Sequence, residues 1–311
     1  MLVLTRDDVR QLLDLDLLFE ALEHAFVELS AGRTSVPPRI AARVPDKGLL
    51  AAMPGYANGV LAAKLVSVFP GNDASALPTH QATINLFDDE TGRPLALLDG
   101  TEITAVRTGA ASAVATRALA RPDAQILAVL GAGVQARSHL AAVTRVRAFD
   151  EVRVASRNPE HAVQLAQEVG AVSVGSFEEA VTGADVVCAC TDARQPVISA
   201  GWLASGAHVT SVGASSDGPE LDAETVQAGL LVVESRDAFE PYPAGAHELQ
   251  GLDPDSAAEL GEVLAGTREG RSSPDQITVY KSMGHAVEDA AAVGLVYRRS
   301  VELGLGTEIE L

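Results

Sequence analysis

Lysine is scarce in this chain. Of 23 lysines and arginines only three are lysines, at positions 47, 64 and 281. Lys64 stands inside the apolar run LAAKLVSVF (61–69). On a strand, side chains alternate, so Ala62, Lys64, Val66 and Val68 share one greasy face. A chain that uses arginine for ordinary charge keeps lysine there for a compact ammonium whose pKa moves on burial. Buried alone it would cost several kcal/mol, so it needs an anion. Arg107 has Ile103, Ala110 and Ala111 as its helical neighbours, with Val114 a turn on, and so lies on a core-facing stripe. Arg39 follows Pro37-Pro38 and opens a strand. Three cations, two on apolar faces, want a shared anion. A core Asp or Glu would serve, and so would a ligand carboxylate, which a guanidinium fork binds bidentately.

A second constellation lies in LAVLGAGVQA (127–136), where Gly131, Gly133 and Ala136 have the GxGxxA spacing. The spacing alone is weak evidence. An apolar strand leads into it and a helix leaves it, which is the context of a dinucleotide cradle. The first glycine permits the turn, the second lets backbone approach the pyrophosphate, and Ala136 allows close helix–strand packing. NAD sites usually place an acid at the end of the next strand, about 20 residues on. Here that segment reads VRVASRNPE, with Ser156, Arg157 and Asn158 instead. An arginine suits a 2′-phosphate, which favours NADP(H) while leaving NAD(H) possible.

The elements that must position these residues fall into two grammars. Thr5 followed by Asp8 resembles a capping box opening one or two helices to about Ser30. Residues 36–99 then hold short apolar runs parted by turn signals, expected to form a mainly antiparallel sheet. An alanine-rich helix spans about residues 101–120. After Arg121-Pro122, strands alternate with helices, the pattern of a doubly wound parallel sheet. The tail GHAVEDAAAVGLVYRRSVELG reads as one helix long enough to return to the first domain. Expected domains are therefore 1–118 with 290–311, and 119–289.

The totals exclude several classes. A net charge of −19 and pI near 4.7 argue against nucleic acid and anionic membranes. No apolar run approaches the roughly 20 residues of a membrane helix. MLVLTRDDVRQ shows no secretory signal, and Cys188 and Cys190 form neither a disulfide framework nor a metal set. A cytoplasmic protein without a metal site is expected.

The chain resembles the ornithine cyclodeaminase/μ-crystallin family over nearly its full length. The resemblance rests on Arg39, Met53-Pro54, Lys64, LPTHQATINLFDDETG, LLDGTEITAVRTGAASAVAT, GAGVQARSH, SVGASS with ELD after it, and VYKSMGHAVEDAAA. It implies a Rossmann-type domain beside a substrate and dimerisation domain, and a homodimer joined through the antiparallel sheets. It also implies that Arg39, Lys64 and Arg107 hold a substrate carboxylate, with Thr79 and Ser215 in the same pocket. Lys64 and Arg107 are then the catalytic candidates. Thr108, Val134, Gln135 and Thr191 are implied cofactor contacts, as are Gly213, Met283 and Gly284.

Two departures separate this chain from ornithine cyclodeaminases. Their glutamate before the Met-Pro turn is Ala51 here, and their aspartate after the VG glycine aligns with Ser215, with Asp217 nearby as a substitute. GAGVQA-x-SH, HQAT, VGAS and KS-x-G-x-AVED resemble the μ-crystallin/ketimine reductase branch instead. The expected reaction is NAD(P)H-dependent reduction of the C=N bond of small cyclic ketimine carboxylates. Ornithine cyclodeamination, alanine-type dehydrogenation and ligand binding with little turnover remain as alternatives. The proton donor is left open between water, Lys64 and His80, although His80, in register with Ala82, Ile84 and Leu86, reads more readily as packed core. His139 is read as structural or near the cofactor, His285 as variable, and Glu288 and Asp289 as plain helix charges.

Overall fold

The computed structural model describes residues 1–75, 77–213 and 218–310. From the N-terminus come β1 (Leu2–Leu4), α1 (Arg6–Leu12), α2 (Leu15–Ser30), β2 (Ile40–Val44), β3 (Gly48–Ala57), β4 (Val60–Val68), β5 (His80–Phe87), β6 (Pro94–Asp99) and α3 (Gly100–Leu119). The α/β portion follows as β7 (Ile126–Leu130), α4 (Val134–Val146), β8 (Glu151–Ala155), α5 (Pro159–Val169), β9 (Val172–Ser173), α6 (Phe177–Val181), β10 (Val186–Ala189) and β11 (His208–Ser211). It continues with α7 (Ala223–Gln227), β12 (Leu230–Val233), β13 (Ala258–Glu259), α8 (Leu260–Leu264) and β14 (Thr278–Lys281). The chain closes with α9 (Ala286–Leu303) and β15 (Thr307–Glu308). Among the described residues, no helix is long and apolar enough to cross a membrane.

The chain forms two compact units, Met1–Arg107 with His285–Leu311, and Thr108–Gly284. The dividing points fall at 107/108 and 284/285, where the sequence suggested 118/119 and 289/290. Periodicity assigns the alanine-rich helix whole, whereas its first two turns belong to one unit and the rest to the other.

The first unit is built on a mixed sheet of order β15-β1-β6-β5-β4-β3-β2, antiparallel except for the β1–β6 pair. Strands β2 to β6 are the five runs visible in the sequence. β1 and β15 are too short to carry a period. The expected capping box at α1 is present, with Thr5 N donating to Asp8 Oδ2 at 2.8 Å and Asp8 N to Thr5 Oγ1 at 3.3 Å. α2 buries Leu18, Phe19, Leu22, Ala25 and Phe26 at helical spacing. α9 lies close on β3 and β4 because its contacts are small. A Cβ on Gly55 would stand 3.2 Å from that of Ala286, and one on Gly294 would stand 2.7 Å from Val60 Cγ2.

The second unit is an all-parallel sheet of order β13-β12-β14-β11-β10-β7-β8-β9. Its interior strands ILAVL, VVCA and LLVV are almost wholly buried, as expected of strands covered on both faces. The run β9-β8-β7-β10-β11 has the order of a dinucleotide-binding fold. Its switch point lies between β7 and β10, where such sheets bind ligands beyond the carboxyl ends of their strands.

Candidate functional site

In the first unit, β4 presents Val60, Ala62, Lys64 and Val66 as its buried face. Lys64 is only 2% exposed. Its Nζ meets both carboxylate oxygens of Asp289 on α9, at 2.9 Å to Oδ1 and 2.7 Å to Oδ2. Arg107 donates from Nε to Asp289 Oδ1 at 3.0 Å and from Nη1 to Glu288 Oε2 at 2.7 Å. The other Glu288 oxygen accepts the His285 N–H at 2.9 Å, closing a capping box at the start of α9. One carboxylate therefore both caps the helix and anchors Arg107. Burial drives the Lys64 ammonium down to a pKa of about 8. The charges of Arg107 and, more weakly, Arg39 push the same way, and Asp289 opposes them. Burial pushes the Asp289 carboxyl up, but Lys64 and Arg107 hold it below its ordinary value. The Arg107 guanidinium is pulled down by burial and raised more strongly by Asp289 and Glu288, so it stays charged.

The structure corrects two readings. Asp289 and Glu288 are more than plain helix charges: they are 2% and 0% exposed and pair with Lys64 and Arg107. The anion next to Lys64 in this structure is thus a core aspartate, one of the two sources the sequence left open. Acids in a helix's first turn already have a local explanation in caps and dipole, which hid their long-range partners. His80 is exposed rather than packed, because it begins β5 and the buried set starts at Ala82. Its Nδ1 lies 3.2 Å from Thr79 Oγ1. Thr79 and Arg39 are both half-buried, and Arg39 is near enough to Lys64 to act on its charge. Ser215 and Asp217 lie outside the described residues.

In the second unit the GxGxxA turn follows β7. Gly131 has φ +111°, and a Cβ there would stand 2.6 Å from Cys190 O, so both conformation and space require glycine. Gly133 is the N-cap of α4, makes no side-chain cap, and faces open space. No side chain caps the first N–H groups of α4, the situation in which a helix N-terminus takes phosphate. Val134 is exposed at that end while Ala136 is fully buried against the sheet. These features fit a dinucleotide.

Ser156, Arg157 and Asn158 follow β8, the neighbour of β7. Arg157 is exposed, and Asn158 caps α5 through a 3.0 Å bond from Glu160 N. His139 is buried, held between Ser112 Oγ at 2.9 Å and Gln135 O at 2.7 Å, and burial lowers its pKa to about 4. Thr108 is buried and Gln135 half-buried. Cys188 and Cys190 are buried thiols.

The sequence reading missed a charged cluster at the carboxyl ends of β10, β11 and β14. Lys281 is fully buried, its Nζ 2.9 Å from Glu248 Oε1, 2.6 Å from Gly213 O and 3.0 Å from Ser211 Oγ. Glu220 accepts from Thr191 N and Oγ1, Ser211 Oγ and Gly213 N, at 2.6–2.8 Å. Met283 N donates to Glu234 Oε1 at 2.6 Å, and Gly284 N to Ser282 Oγ at 3.1 Å. The lysine scarcity that singled out Lys64 applied equally to Lys281.

A parallel sheet with a glycine turn at a helix N-terminus, and a mixed sheet carrying a buried Lys–Arg–carboxylate cluster, define an α/β protein. Comparison with known proteins gives the family. The chain belongs to the ornithine cyclodeaminase/mu-crystallin family, whose sequence model matches residues 1–303. It is 42% identical over 295 residues to the ketimine reductase mu-crystallin of Mus musculus, covering 90% of this chain and 91% of the mouse protein. Among solved structures, it matches the Δ1-pyrroline-2-carboxylate reductase of Thermococcus litoralis in complex with NADH and L-proline. The TM-score is 0.93 and the identity 39%, over 99% of this chain and 100% of that one. An archaeal alanine dehydrogenase dimer with bound NAD matches with a TM-score of 0.90 at 32% identity, over 100% and 99% of the two chains.

Proposed function

We propose that this protein is a nicotinamide-dependent oxidoreductase that reduces the C=N bond of small cyclic ketimine carboxylates, with pyrroline- and piperideine-2-carboxylate as the leading substrates. The observation that carries the reading is the buried Lys64–Asp289–Arg107 cluster. Arg107 is clamped on two carboxylates and cannot swing, so any further anion meets a fixed donor array. Arg107 and Arg39 both depress the Lys64 pKa, so a ligand carboxylate entering there relieves cation–cation repulsion. Lys64, poised near pH 8, is protonated at neutral pH yet able to give its proton to a nearby imine nitrogen. Asp289 keeps that ammonium in place. A bound reduced nicotinamide supplies the hydride. Gly131, Gly133 and the α4 N-terminus hold its pyrophosphate, and Arg157, standing where NAD sites usually place an acid, suits NADP(H).

One feature of β3 favours imine reduction over ornithine cyclodeamination. Ala51 pairs with Val66, and Met53 pairs with Lys64, on the same buried face. Cyclodeaminases, by resemblance, carry a glutamate at the Ala51 position, diagonal to the lysine. Here a methyl group stands there and offers nothing to a second ammonium. The mouse ketimine reductase and the Thermococcus litoralis pyrroline-2-carboxylate reductase, at 42% and 39% identity, support the same choice.

We further propose that it works as a homodimer. The outward face of the first unit's sheet bears Ile40, Val44, Leu50, Tyr56 and Leu65, all exposed in the single chain. A contiguous apolar strip of this kind suits a second copy, and the related archaeal dehydrogenase is a dimer.

Lys64→Met tests the site. The expected result is loss of at least about 100-fold in kcat/KM for the imine, with nucleotide affinity unchanged because the cradle belongs to the other unit. Parallel loss of nucleotide binding would reduce Lys64 to a folding residue.

A further inference from the structure

We propose that Glu220 and Lys281 are positioning residues for the nicotinamide end of the cofactor, acting through the backbone of Thr191 and Gly213. The inference rests on the dinucleotide reading above.

The Gly213 peptide groups are gripped from both sides by opposite charges. Its N–H donates to Glu220 Oε2 at 2.7 Å, and its C=O accepts from Lys281 Nζ at 2.6 Å. Glu220 reaches across to the next strand end, where Oε1 takes both the N–H and the hydroxyl of Thr191. Ser211 Oγ joins the two grips, accepting from Lys281 at 3.0 Å and donating to Glu220 at 2.7 Å. Lys281 is in turn held by Glu248. A Cβ on Gly213 would collide with the Glu220 carboxylate where its four hydrogen bonds hold it, so only glycine leaves that carboxylate in place.

Charge this deeply buried is expensive, and an apolar core would be as stable or more so. What the ions provide is direction: each Glu220 oxygen fixes one backbone N–H and Lys281 fixes one backbone carbonyl, in a low-dielectric setting. The fixed groups follow β10 and β11, at the carboxyl edge of the sheet beside the switch point where ligands bind. The phosphate cradle after β7 makes none of these bonds. The cluster therefore governs placement of the reacting end of the cofactor and leaves the adenosine and phosphate end alone.

The test uses full-length Glu220→Gln and Ser211→Ala. Gln places an amide NH2 against donors that need an acceptor; Ala removes only the linking hydroxyl and is the variant safest for folding. Affinity is measured for ADP-ribose and its 2′-phosphate, which lack nicotinamide, and for NADPH and NADH, alongside kcat and the thermal midpoint. The expected result is ADP-ribose affinity within twofold of wild type while kcat falls about tenfold or more for Glu220→Gln and three- to tenfold for Ser211→Ala. Equal losses for fragment and whole cofactor, or unchanged kcat in folded Ser211→Ala, overturn the proposal. Wild-type protein that binds no nicotinamide nucleotide overturns it together with the functional reading, and that outcome is seen before any variant is made.

Discussion

Replacing Asp289 with asparagine preserves shape and removes one negative charge from between two buried cations. Asp289 lies within 3.0 Å of both Lys64 Nζ and Arg107 Nε. Breaking a buried pair by deleting one partner costs about 3–5 kcal/mol. At this domain size that lowers the thermal midpoint by ~6–20 °C, using roughly 2–4 °C per kcal/mol. The deficit depends on pH in a definite direction. Wild-type Lys64 titrates near pH 8, and Asp289 is the group holding it that high. Without Asp289 its folded pKa drops further, whereas the unfolded chain keeps the proton to about pH 10.4. Between those values the unfolded state binds more protons, so stability rises with pH by about 1.4 kcal/mol per unit. In Asp289→Asn the rise starts below pH 8; in the wild type it starts near 8. The gap between the two proteins is therefore widest near pH 6 and narrows towards pH 8. Urea unfolding at both pH values measures it. A variant within about 0.5 kcal/mol of wild type at pH 6, the scatter of ordinary surface changes, or a gap that widens with pH, would refute the buried triad.

Two further outcomes follow from the same geometry. Arg157→Ala should raise KM for NADPH much more than for NADH; equal effects would remove the 2′-phosphate role. If Lys64 gives the imine its proton, kcat/KM should hold at neutral pH and fall about tenfold per unit above the free enzyme's value near 8. A profile flat to pH 9.5 would leave that proton to water.

The residues that announced themselves in the sequence did so by breaking a local rule. Lys64 interrupts an apolar face, and Gly131 occupies a conformation that other residues avoid. The residues that went unnoticed obeyed local rules while serving distant ones. Glu288 and Asp289 look like ordinary first-turn acids, and nothing in helical period points to a strand residue 225 positions away. Glu220 and Glu248 sit in loops and short helical turns without periodicity. Lys281 broke the composition rule as plainly as Lys64, but it ends a strand, where a charge is unremarkable. Strand alternation placed His80 in the core by extending the pattern one period, two residues, past the buried set. The short strands β9, β13 and β15 are set by pairing alone. Both sheets were legible because β2 to β6 and the main parallel strands carry their own patterns and turns.

The central claim is tested most directly by following NADPH oxidation with purified protein and Δ1-piperideine-2-carboxylate, with NADH and an L-ornithine/NAD mixture in parallel. The account predicts rapid oxidation with the imine, faster with NADPH than with NADH, and no ammonia from ornithine. Silence with the imine, together with proline and ammonia appearing from ornithine, would contradict it and identify a cyclodeaminase.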